Sequence, residues 1–105
     1  MGKNKYLENV KVDDIIWLGN EFGDTWSCVI TENAKPSTRD GFTNLWLKYT
    51  LHHPQITTWQ EVHLICEAKK SYSEYTISHV HYIFSTNVKE LDKRIKHFQK
   101  WKKKN

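Results

Sequence analysis

The sequence predicts a mainly β domain: a small five-stranded antiparallel barrel or strongly curved sheet, followed by one C-terminal α-helix. Three observations lead there. Five short apolar stretches, rich in β-branched and aromatic residues, are separated by clusters of Gly, Pro, Asn and polar residues. Only the last segment, from Asn87, repeats its apolar residues at intervals of three and four. The chain has 105 residues, of which 38 % are hydrophobic and 13 % aromatic, enough for one core built from few, large side chains. Residues 1–105 are therefore expected to form a single domain, with a β-rich part to 86, a helix over 87–101 and a basic tail over 102–105.

The first strand is expected over 10–18 (VKVDDIIWL), which begins with alternation and passes into an apolar run. Gly19 to Asp24 is turn chemistry, since Gly and Asn accept the positive φ of a tight reversal. Residues 25–32 (TWSCVITE) place Trp26, Cys28 and Ile30 on one face, which makes a second, half-buried strand and an antiparallel hairpin. Asn33 to Gly41 lacks periodicity and is expected to be a long loop. Thr43 to Leu51 alternates Leu45, Leu47, Tyr49 and Leu51 against Trp46, Lys48 and Thr50, a third strand. His52-His53-Pro54-Gln55 breaks it, Trp59 to Cys66 gives a fourth, and Tyr75 to Phe84 a long fifth after a polar turn at 67–73. Asn87 with Glu90 three residues on forms a capping-box pattern ahead of Val88, Leu91, Ile95, Phe98 and Trp101, one apolar stripe.

Charge is distributed unevenly. From Val88 onward eight Lys or Arg (Lys89, Lys93, Arg94, Lys96, Lys100, Lys102, Lys103, Lys104) stand against Glu90 and Asp92, a local excess of six positive charges. The whole chain carries +4, so residues 1–87 carry a net −2. Basicity belongs to one element. Lys89, Lys93, Lys96, Lys100 and Lys103 fall on a face away from the apolar stripe, where they can neutralise phosphates or act as a solvated face.

The stretch Lys11 to Ala34, KVDDIIWLGNEFGDTWSCVITENA, resembles the opening of SH3-like barrels of the KOW, Tudor and PWWP kind. Those modules begin with a polar residue, a Val-Gly-Asp turn, an apolar strand, a Gly-bearing loop and a second strand led by an aromatic. Here Val12-Asp13-Asp14 stands in place of Val-Gly-Asp, and the likeness covers about a quarter of the chain. The resemblance implies a nucleic-acid- or peptide-binding module with contacts from the loops at one barrel end. Toxin endoribonucleases of the MazF type share this barrel, but their basic, Pro-containing continuation after the first hairpin is not found here.

The remaining constellations are weighed against plainer roles. Trp17, Trp26, Trp46, Trp59 and Tyr82 are expected to be mostly core, with one or two at the surface. Trp46 is the preferred exposed ring, facing away from Leu45, Leu47 and Tyr49, and could stack a base or help cage a methylated lysine. His79 and His81 would share one face of the fifth strand, a weak metal candidate with His63 or Cys66 as a third ligand. Catalysis by these histidines would need Glu61 or Glu74 in reach. Cys28 and Cys66, in apolar runs far apart, are expected to be buried free thiols, and Asp13-Asp14 turn formers. No metal and no cofactor is called for, and no phosphate loop or nucleophile elbow is present.

These readings converge on a non-enzymatic DNA- or RNA-binding accessory protein. Its expected site comprises Lys35, Arg39, Trp46, Lys48, Lys89, Lys93, Arg94, Lys96, Lys100, Lys102, Lys103 and Lys104. The alternative is a protein-interaction module or inhibitor whose aromatic surface binds another protein and whose helix meets an acidic partner. A small nuclease or toxin is the remote third. The absence of a long apolar run and of an N-terminal signal pattern predicts a cytoplasmic protein without membrane attachment, and the composition suits a phage or mobile-element product.

Overall fold

The computed structural model describes residues 5–50 and 59–104. A short 3-10 turn, Leu7–Asn9, precedes six strands: β1 (Ile15–Asn20), β2 (Thr25–Pro36), β3 (Phe42–Thr50), β4 (Trp59–Glu67), β5 (Tyr72–Ile77) and β6 (Val80–Ser85). Helix α1 (Val88–Lys104) closes the order. All strand pairs are antiparallel, in the order β4-β3-β2-β1-β6-β5, and the sheet curls into a nearly closed barrel. β1 and β6 are neighbours in this order and are the strands on which the helix packs.

The alternation read in the sequence places one apolar face inside. Ile16, Leu18, Cys28, Ile30, Leu45, Leu47, Tyr49, Leu64, Cys66 and Phe84 form the barrel core, with Leu7 and Val10 from the N-terminal segment plugged into it. Leu7 N–H donates to the Lys70 carbonyl and Glu8 N–H to that of Ala68, which ties this plug to the β4–β5 connection. At Asp13, φ is 73°, in the left-handed region that Gly favours and Asp tolerates. Asp13 N–H bonds the Ile30 carbonyl, and the Asp14 carboxylate accepts from Lys11 N–H, so this pair does form the turn.

Four elements differ from expectation. β1 starts at Ile15 and runs through Gly19 and Asn20, because Val10 is buried before the Asp13 turn rather than in the strand. β2 extends to Pro36, so the nine-residue loop shrinks to the turn after it. Register shifts between Ile30 and Glu32 and again between Glu32 and Lys35 bend β2 away from alternation, which hid it from a periodicity reading. The single strand over 75–84 is two strands. Ser78 and His79 both take positive φ, 51° and 67°, as a two-residue hairpin turn requires, without the Gly or Asn that would announce it. The strand count is thus six, not five. Finally, the helix continues to Lys104, so Lys102, Lys103 and Lys104 are helical rather than a separate tail. The His52–Pro54 break lies outside the described residues.

Candidate functional site

The helix is fixed at its start by Asn87, whose side-chain oxygen accepts from the Lys89 and Glu90 N–H groups at 2.8 and 3.1 Å. Leu91 and Ile95 are buried against Ile83 of β6, with Trp17, Tyr72 and Phe98 packed around them. This second core lies on the outer face of the barrel. Gly19 permits the close approach, since a Cβ built there would meet the Ile95 side chain at 2.4 Å and the Asp24 carbonyl at 3.2 Å.

Polar contacts frame the small core. Glu21 is central to them: its carboxylate accepts from Lys102 and, at 2.9 Å, from the His81 N–H, while its carbonyl accepts from the Gln99 side chain at 3.0 Å. The Lys102 hydrogen bond, helped by the His81 N–H, holds the Glu21 carboxyl below its ordinary pKa against the opposing effect of burial. On the other flank Arg94 bonds Glu90 at 3.3 Å and lies over the Tyr72 ring at 4.2 Å. His81 Nε2 lies 3.1 Å from Glu74 Oε2, and the imidazole stacks on Phe98 with centroids 4.0 Å apart.

The opposite side of the helix is cationic. Lys89, Lys93, Lys96, Lys100, Lys103 and Lys104 are all exposed. None of their ammonium groups forms an ion pair or hydrogen bond with a described residue. Spacings of four and three carry Lys89, Lys93, Lys96, Lys100 and Lys103 straight along the helix, and the first four line a shallow open groove with Asp92 and His97. Two of the expected cations are diverted. Lys102 holds Glu21 and Arg94 holds Glu90 and Tyr72, so both attach the helix to the barrel.

The barrel residues expected at the site lie elsewhere. Lys48 and Trp46 are on β3, with β2 between that strand and the β1 on which the helix packs. Trp46 is half-buried rather than exposed, stacked on His63 directly across the β3–β4 ladder at 4.2 Å. Lys35 is a β2 residue paired with Glu32, and Arg39 lies over the Phe42 ring at 4.0 Å in the β2–β3 turn. The strongly exposed tryptophans are Trp59 at 60 % and Trp101 at 55 %. No family model, curated protein or solved structure matches this chain.

The histidine constellation needs correction. His79 is in the β5–β6 turn and only His81 is in the ladder, so the two do not share a strand face. His63 and Cys66 are on β4, separated from β6 by three strands in the sheet order, and Cys66 points into the core. No group of three or more His, Cys, Asp or Glu suited to a metal occurs among the described residues. Burial pushes both thiols, Cys28 and Cys66, up to about 12. Sequence reasoning missed Glu21 as the helix clamp, because nothing local relates it to Lys102 and Gln99 some eighty residues on. It also missed His81 as a stacking partner of Phe98, a contact between β6 and α1 with no sequence signature.

Proposed function

We propose that the protein is a non-enzymatic nucleic-acid-binding protein that meets phosphates with the outer face of α1. The observation carrying this reading is the run of exposed lysines without ion-pair partners among the described residues, on a helix whose other cations are engaged with the barrel. A docked helix holds its lysines in fixed register, so several can face successive phosphates at once. Counterions released from the backbone then supply affinity that falls steeply with salt. Lys35, Arg39 and Lys48 are outside this face and contribute only through the general field of the molecule.

The test is anisotropy of labelled oligonucleotides titrated across a salt series, with full-length protein and a triple variant, Lys93→Gln, Lys96→Gln, Lys100→Gln. These side chains are exposed, so the fold is retained. Each phosphate contact contributes about 0.9 to the slope of log affinity against log salt on duplex DNA, so the variant should flatten that slope by roughly 2 to 3. Affinity indifferent to salt would overturn the reading.

A second reading has its own observation. Trp59 and Ile65 stand exposed on the same face of β4, the terminal strand of the sheet order, as a protein-binding surface would. Clean protein without bound nucleic acid, capturing a single acidic partner that Trp59→Ser and Ile65→Ser release, would favour it.

A further inference from the structure

We infer that the C-terminal half of α1 carries a base-stacking platform centred on Trp101, so that the nucleic acid taken by the lysine face is single-stranded. The inference rests on the phosphate-binding role proposed above and names its substrate class. Going round the helix from the lysine stripe at about 100° per residue, His97 and Lys104 come first, then Arg94 and Trp101, then Phe98 at the margin of the buried stripe. Trp101 therefore stands on the border between the cationic face and the barrel.

Its ring is stacked on Phe98, with centroids 5.6 Å apart, and Phe98 is stacked in turn on His81 at 4.0 Å and a nearly parallel 4°. Three rings in succession, the innermost held by Glu74 and by the β6 ladder, hold the indole in place while more than half of it stays open to solvent. A groove of about 380 Å³ runs beside it, bounded by Tyr72 and Glu74 of β5 and by Arg94 and His97 of α1. An exposed, supported aromatic next to lysines is what an unpaired base needs: a flat apolar partner for its face and a cation within a nucleotide's reach for its phosphate. Paired bases in a duplex keep their faces within the stack and cannot use it. The charge beside the ring selects the occupant, because Lys100, Lys103 and Lys104 surround the helix end and favour a polyanion over an apolar peptide.

The experiment uses the full chain with three labelled probes: an oligothymidylate of about 15 nucleotides, a duplex of equal length, and a strand of the same length with abasic sites. Wild-type protein should bind the single strand roughly 10-fold more tightly than the abasic strand, given the usual worth of base–aromatic stacking. Trp101→Ala should abolish that difference and leave the salt slope and duplex affinity unchanged, while Trp101→Phe should retain most of it. Equal binding of normal and abasic strands with a steep salt slope would overturn the platform and leave the phosphate reading standing. Salt-independent or absent binding of all three probes would overturn both.

Discussion

β1 and β6 each carry two cores on opposite faces, and the two are built differently. Inside the barrel, Leu, Ile and aromatic side chains from all six strands, Tyr75 of β5 among them, pack with the N-terminal plug, and both thiols are submerged there. Outside, the buried apolar side chains among the described residues are Ile83, Leu91 and Ile95, and Glu21, Arg94 and the His81–Phe98 stack hold the helix beside them. Apolar burial scales with area and tolerates changes of pH, whereas a thin seam framed by ions depends on a few side chains. The barrel is thus the rigid part, and the helix that carries the proposed binding face is the part nearest to opening.

The largest effect that tests this contrast comes from matched truncations. Leu45→Ala, at a fully buried barrel position, should cost about 3 to 5 kcal/mol. Leu91→Ala is equally buried, yet the partly covered rings around it can close on the space, and the cost should fall near 2 to 3 kcal/mol. Thiol labelling separates the two beyond magnitude. Cys28 and Cys66, with pKa values pushed up to about 12, should be inert while the barrel is closed. Leu45→Ala should speed their reaction markedly and Leu91→Ala only slightly. Equal acceleration would mean that barrel and helix open as one unit, and the contrast would fail.

A smaller effect comes from the seam itself. Gly19→Val would drive a side chain into Ile95 and toward the Asp24 carbonyl, and the Ile95 terminus can yield only partly because it is buried. The expected cost is roughly 1 to 3 kcal/mol, borne by helix docking. Loss of helix-side tryptophan fluorescence change at lower denaturant than the loss of barrel circular dichroism would show it. Coincident transitions shifted together would instead place Gly19 in a single cooperative core.

How far the sequence revealed this architecture follows the same division. Inner-face alternation at Leu45, Leu47 and Tyr49, or Trp26, Cys28 and Ile30, is local and was legible at once. The lysine stripe and the Asn87 cap were legible too, since helix faces follow from spacing alone. What escaped was structure that breaks local rules: the bulges that carry β2 to Pro36, and the Ser78-His79 turn that splits one strand into two without Gly. The diversion of Lys102 and Arg94 also escaped, because a lysine bound to Glu21 and a lysine in solvent look the same in a sequence. Trp46 illustrates the limit in the other direction. Alternation placed it correctly on the outer face, but only the β3–β4 register brings His63 over it.

The smallest effect, and the one that bears most directly on the ionic frame, is the pH response of the Glu21 clamp. Because the Glu21 carboxyl is held below the usual carboxylate range, chiefly by the Lys102 hydrogen bond, its contribution is fully present above that range. It is lost as pH falls through the lowered pKa, when the protonated acid no longer pairs with Lys102. Glu21→Gln should therefore be somewhat less stable than wild type at neutral pH, and the two should converge in acid below the lowered pKa. Helix-side tryptophan fluorescence during denaturation at a series of pH values measures this directly. Thiol protection in the barrel should be the same in the two proteins throughout, since Glu21 touches only the outer face. A constant difference down to strong acid would show that Glu21 acts through its shape and backbone contacts alone, leaving Gln99 and the apolar stripe to hold the helix.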